Sequence, residues 1–187
     1  MKISVVIPVF NEEESINELY KQLLKALSFC KDYEIIFIDD GSYDDSLKNI
    51  LSLADKNKKI KVIQLFRNYG KSAALSEGFR YCSGEYVITL DADLQDDPSE
   101  IKNLISEIEK GYDLVSGWKK DRKDPLSKKI PSKFFNIVTR LSTGVLIHDF
   151  NCGLKAYKKS VVKSIDIYGG RHRYCLLYTS PSPRDNR

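Results

Sequence analysis

The run Val87-Ile88-Thr89-Leu90 stops abruptly on Asp91-Ala92-Asp93. A β-branched apolar run without polar alternation is the pattern of a strand buried on both faces, and such strands belong to parallel sheets. Ligands in open α/β sheets bind just beyond the carboxyl ends of these strands. Residues two apart in an extended segment project to the same side, so Asp91 and Asp93 should share one. Two like charges so close repel unless a cation lies between them. Mg²⁺ and Mn²⁺ prefer oxygen ligands, and Mg²⁺ commonly takes one or two carboxylates together with a substrate's phosphates. The motif therefore points to a metal–diphosphate site. Asp96 and Asp97, just beyond it, read as a solvated acidic turn.

The same alternation recurs along the chain. Apolar runs at Ile3–Val9, Glu34–Ile38, Lys61–Phe66, Tyr86–Leu90 and Leu114–Ser116 predict strands. Between them lie segments with helical spacing: Ile16, Leu19, Leu23, Leu24 and Leu27; then Leu47, Ile50, Leu51 and Leu53; then Gly70–Tyr81; then Ile101–Ile108 behind Pro98-Ser99. Asp44 or Asp45 can cap the second helix. Strands separated by helices of this length predict βαβ crossovers and a Rossmann-like, mostly parallel α/β sheet flanked by helices in a single domain. After Gly117 the pattern changes to a basic amphipathic segment, Lys128–Leu141, that fits a helix packed on the core better than one on a membrane surface.

With 187 residues, 42% hydrophobic and 30% charged, the chain fits one ordinary globular domain. No apolar stretch approaches the length of a membrane span. The N-terminal segment is too short and too strand-like for a signal peptide, which predicts a cytoplasmic chain. Cys30, Cys82, Cys152 and Cys175 lack zinc or disulfide spacing and are expected as reduced thiols. Cys152 reads as a small apolar filler. A net charge of +4 is too mild to indicate nucleic acid. The cations are concentrated at 119–133, where they can meet phosphates or an anionic membrane surface.

Two strands end in paired aspartates, Asp39-Asp40 and Asp91/Asp93, and a third loop from the same predicted edge carries Asn11 and Glu12. Three such loops converging suit a nucleotide diphosphate with its cation. Gly70-Lys71-Ser72 looks like a phosphate-binding loop, but Leu65 stands where that motif needs a glycine. Gly70 instead opens a helix, with Asn68 turning the chain.

The ordered segments Ile7-Pro8-Val9-Phe10-Asn11-Glu12-Glu13, Asp39-Asp40-Gly41-Ser42, Arg67-Asn68-Tyr69-Gly70-Lys71, Asp91-Ala92-Asp93-Leu94-Gln95-Asp96 and Gly111–Gly117 closely resemble the family 2 glycosyltransferases. Within that family they are most similar to the polyprenyl-phosphate branch, which includes the dolichyl-phosphate mannose and glucose synthases. The resemblance implies a GT-A fold and inverting, metal-dependent transfer of a sugar from a UDP- or GDP-sugar to a polyprenyl phosphate, at the cytoplasmic face of a membrane. It implies that Asp91, Asp93 and Gln95 hold Mg²⁺ or Mn²⁺, with Asp93 also catalytic. Pro8, Phe10, Glu12, Ile38, Asp39, Asp40, Lys71, Asp91 and Ala92 would surround the nucleotide sugar, and Lys119 and Arg122 would face the diphosphate or the acceptor phosphate. Asp149, in His148–Lys155, is the implied base or acceptor-positioning group. The resemblance ends at Tyr174. Residues 1–174 are therefore expected to form a catalytic domain incomplete at its C-terminus, with 175–187 a non-native or disordered tail. Transfer to a glycan or protein hydroxyl, a non-catalytic nucleotide-sugar-binding module and an oligomeric assembly all stay open.

Overall fold

The computed structural model describes residues 1–117 and 152–164. Six strands form one sheet: β1 (Ile3–Val9), β2 (Tyr33–Asp39), β3 (Ile60–Gln64), β4 (Tyr86–Thr89), β5 (Leu114–Ser116) and β6 (Lys155–Lys158). The helices are α1 (Ile16–Ala26), α2 (Ser46–Lys56), α3 (Lys71–Tyr81), α4 (Ile101–Glu109) and α5 (Lys159–Ser164). The strand order is β3-β2-β1-β4-β6-β5. Strands β1 to β4 are parallel, as the apolar runs predict, and β6 lies antiparallel between β4 and β5.

The apolar runs are continuous because both faces of the sheet are covered. Alternate residues of β1 and β2 (Ile3, Val5, Ile7, Ile35 and Phe37) pack with α1, α2 and α4. The intervening residues Val6, Ile36 and Ile38 pack with Ala74, Leu75 and Phe79 of α3 and with Val161 and Val162 of α5. Gly78 lets α3 sit this close, since a Cβ there would collide with the Val6 and Ile38 side chains. Phe37 is fully buried, and its truncation to Ala would cost about 3–5 kcal/mol.

The strand order reverses between β1 and β4. From β1 the chain builds outward through β2 to β3, then returns to add β4 on the other side of β1. In sheets of this kind, ligands bind beyond the carboxyl ends of the strands at the point where the strand order reverses. Phe10–Glu13 and Asp91–Asp93 are the residues that leave the sheet there.

Strand β6 was not predicted. Its four residues, Lys-Ala-Tyr-Lys, carry too little periodicity to announce a strand. It forms because Ala156 and Tyr157 fill the sheet beside Ile88 and Val87. Cys30, Cys82 and Cys152 are buried free thiols, as expected. The predicted amphipathic helix at Lys128–Leu141 and the boundary at residue 174 lie outside the described residues.

Candidate functional site

Four loops leave the carboxyl edge of the parallel strands, and they are tied to one another in series. After β1, Asn11 takes a left-handed backbone (φ 56°), and its N–H donates to Ser42 Oγ at 3.0 Å. The Tyr43 N–H answers by donating to Asn11 Oδ1 at 3.1 Å. Next along, the Glu12 N–H donates to Ser46 Oγ at 2.7 Å and the Glu13 N–H to Asp44 Oδ2 at 3.1 Å. Asp45 occupies the N-cap position of α2, yet Asp44 supplies the capping oxygen, accepting from the Ser46 N–H at 2.9 Å.

Asp40 joins the second loop to the third. Its two carboxylate oxygens accept from the Tyr69 and Gly70 N–H groups, each at 2.8 Å. Gly41 (φ 73°) passes so close to the Arg67 backbone that a Cβ would collide with it. Gly70 opens α3 at φ 91°, as the sequence suggests. The first side chain of that helix, Lys71, reaches the fourth loop and pairs with Asp91 Oδ1 at 2.5 Å.

Asp39 differs from its neighbour. It is 0% exposed; Oδ1 accepts from the Ser42 N–H at 3.2 Å, and Oδ2 has no hydrogen-bond partner among the described residues. A buried carboxylate oxygen left unpaired is costly, and such exceptions concentrate where a ligand completes the set.

The fourth loop departs from the expected extended path. Strand β4 ends at Thr89, and residues 92–94 form a bend in which Leu94 is left-handed (φ 60°). Across the bend Ala92 is buried, while Asp91 is half-buried and Asp93 exposed. Asp93 Oδ1 accepts from the Gln95 N–H at 3.0 Å, which closes a local turn and leaves the Gln95 side chain at the surface. Glu12 lies in the field of this loop. Burial raises its pKa, and the charges of Asp93, Asp44 and Asp91 push the same way against one Ser15 hydrogen bond.

Asp97 is exposed and caps the turn before α4, accepting from the Ser99 N–H at 2.9 Å. Asp96 is not solvated, contrary to the sequence reading. It is 6% exposed, with Oδ1 lying 3.8 Å from the Cys152 thiol. The insertion of β6 brings residues 152–155 against this loop, a long-range event with no local signature. Cys152 is thus buried as a small filler, but at the site.

Of the predicted residues, Phe10, Glu12, Asp39, Asp40, Lys71, Asp91 and Asp93 gather along the one edge. The Phe10 ring meets Tyr43 edge-on at 5.7 Å. Pro8 sits at the end of β1, whereas the Ile38 side chain packs into the core under α3 and cannot face the edge. Lys119, Arg122 and Asp149 lie outside the described residues. Among the described residues no three His, Cys, Asp or Glu side chains form a ready-made metal cage.

The sequence profile described as Glycosyl transferase family 2 matches residues 4–166. The chain belongs to this family. Among family 2 relatives, a dodecaprenyl-phosphate galacturonate synthase of Rhizobium johnstonii is 38% identical over 98% of this chain and 56% of its own length. An undecaprenyl-phosphate 4-deoxy-4-formamido-L-arabinose transferase of Shewanella sediminis is 44% identical over 87% of this chain and 50% of its own length. The chain spans about half the length of the curated relatives it matches. Among solved structures, glucosyl-3-phosphoglycerate synthase from Mycobacterium tuberculosis with phosphoglyceric acid superposes with a TM-score of 0.72 at 22% identity, covering 95% of this chain and 62% of that one. The same synthase with Mn²⁺, UDP-glucose and phosphoglyceric acid gives 0.70 at 23% identity, covering 94% and 64%. The family 2 chain thus has the GT-A fold.

Proposed function

We propose that this chain carries the donor-binding and catalytic part of an inverting, metal-dependent glycosyltransferase. It moves a sugar from a UDP- or GDP-sugar to a polyprenyl phosphate at the cytoplasmic face of a membrane. The observation that carries this reading is the chemistry carried by one edge of the parallel strands: Glu12, Asp91, Asp93 and Lys71, and a buried Asp39 oxygen without a partner among the described residues. Relatives whose names specify undecaprenyl- or dodecaprenyl-phosphate support the acceptor.

The residues present suit a hard divalent cation. Two carboxylates, with a third raised in pKa by burial and to a lesser degree by the neighbouring acids, suit an ion whose shell is completed by phosphate oxygens. Asp91, Asp93 and Gln95 would hold Mg²⁺ or Mn²⁺. When bound, the cation supplies neutralisation of the charge that develops on the departing diphosphate.

Asp39 Oδ2 accepts from a donor on the nucleotide, and Phe10, braced edge-on by Tyr43, offers an aromatic surface beside it. Lys71 lends positive charge to the diphosphate, with Lys119 and Arg122 serving the diphosphate or the acceptor phosphate. An oxygen of the acceptor phosphate attacks the anomeric carbon as the bond to the nucleoside diphosphate breaks on the opposite face. A phosphate monoester is largely ionised near neutrality, so Asp149 is needed to position the acceptor more than to deprotonate it.

Calorimetry with UDP and GDP, with and without Mn²⁺, followed by transfer of labelled sugar to polyprenyl phosphate, tests the proposal. The expected result is nucleotide binding strengthened by Mn²⁺ and labelled lipid as product. Metal-dependent binding without transfer to any acceptor would reduce the chain to a binding module, and no nucleotide binding would end the proposal.

A further inference from the structure

Strand β6 (Lys155–Lys158) enters the sheet antiparallel to β4, with Lys155 paired to Thr89 at the last position of β4. That register carries Cys152 and Gly153 past the end of β4 and against the loop that follows it. Three contacts hold them there. Thr89 Oγ1 donates to the Gly153 carbonyl at 2.8 Å. The buried Lys155 ammonium donates to the Cys152 carbonyl, closing the turn. The Cys152 thiol faces the buried Asp96 carboxylate.

Gly153 is the point of closest approach. A Cβ there would overlap the Asp91 carboxylate on one side and Asp96 Oδ2 on the other. Asp96 is enclosed and cannot lean away, so a Cβ at Gly153 would push the Asp91 carboxylate from its place beside Lys71. The glycine backbone therefore forms the wall against which both carboxylates are seated.

We infer that Gly153 is a positioning residue for the donor site: the Cys152–Lys155 turn fixes where the Asp91 carboxylate stands, and so couples the cation–diphosphate site to the segment that leads into β6. This rests on the reading of Asp91 as a cation ligand. Groups that orient a ligating carboxylate matter because a misdirected ligand loses affinity without leaving the site, typically by roughly 10- to 100-fold in metal affinity.

The test compares wild type, Gly153→Ala and Thr89→Val by UDP and GDP calorimetry at zero and saturating Mn²⁺, with free Mn²⁺ read by electron paramagnetic resonance. Gly153→Ala should lower Mn²⁺ affinity and the Mn²⁺-dependent gain in nucleotide affinity by roughly 10- to 100-fold, with metal-free nucleotide binding unchanged. A residue that merely supports the fold would lower both modes together. Thr89→Val keeps the strand and removes only the bond to the Gly153 carbonyl, so it reads the same coupling if Gly153→Ala does not fold; about a threefold to tenfold loss is expected. Full Mn²⁺ dependence in both variants, or equal losses with and without the metal, overturns the inference. A wild type whose nucleotide binding ignores Mn²⁺ overturns both the inference and the reading of Asp91 beneath it.

Discussion

The two ends of the parallel sheet treat a buried carboxylate in opposite ways. At the amino end, Glu34 is almost fully enclosed, and its charge is fully answered. Ser4 Oγ, the Ser83 N–H and Ser83 Oγ donate to Oε1 at 2.5, 2.7 and 2.8 Å, and Lys61 pairs with Oε2 at 2.7 Å. Burial alone would raise its pKa, but these partners outweigh it and bring the carboxyl down to about 2. At the carboxyl end, Asp39 is equally buried but keeps one oxygen unpaired among the described residues, and Glu12 is pushed up by burial and by neighbouring acids. One end uses its polar groups to hold strands together. The other leaves the second oxygen of Asp39 unsatisfied among the described residues, which costs stability and creates a demand for donors and positive charge.

That contrast breaks if substitutions at the two ends have the same effects. The largest expected change is in catalysis: Asp91→Ala or Asp93→Ala should lower Mn²⁺-dependent sugar transfer by about 10²–10³-fold. The half-exposed Lys71–Asp91 pair contributes so little that denaturant melts of Asp91→Ala should shift by less than about 1 kcal/mol.

Glu34 should behave in reverse. Its carboxyl titrates near 2 in the folded chain against an ordinary 4.5, a depression that stabilises the fold above pH 4.5 by about 3 kcal/mol. This contribution is lost as pH falls from 4.5 through 2. Acid unfolding of wild type and Glu34→Gln should therefore differ at pH 6 and converge near pH 2, with nucleotide affinity equal throughout.

Asp39→Asn sharpens the comparison at a smaller scale. It alters a buried carboxyl group whose second oxygen lacks a partner among the described residues, so the fold should keep its stability, while nucleotide affinity by calorimetry drops about tenfold. The smallest effect belongs to Glu12→Gln. Because the folded pKa is raised, the ionised carboxylate opposes folding at neutral pH and ceases to do so as pH falls below its ordinary range. A slight rise in melting temperature at pH 7 that vanishes at pH 4 is expected, and a fall at pH 7 would contradict it.

Much of this was readable in advance. The strands at Ile3–Val9 and Leu114–Ser116 fall where the apolar runs predict, and the other parallel strands shift by only one or two residues. The acidic loops were likewise legible, since strands buried on both faces must end in polar residues where they reach solvent. Strand β6 was not legible, because four residues of mixed character pair only when β4 and β5 already stand on either side. Asp96 was misread for the same reason: its burial comes from residues 152–155, distant in the chain.

Local order in this protein, from the parallel strands and covering helices to the carboxylates at their ends, is written in residue periodicity, because the burial of each segment demands a matching local pattern. The tertiary structure alone decided how equivalent-looking acids divide their work. Asp40 spends both oxygens on the Tyr69 and Gly70 backbone while Asp39 keeps one unpaired among the described residues, and Asp96 goes inside while Asp97 caps a turn. Those outcomes depend on which distant backbone group arrives beside each carboxylate, and hydrogen bonds of that range leave no trace in the spacing of neighbouring residues.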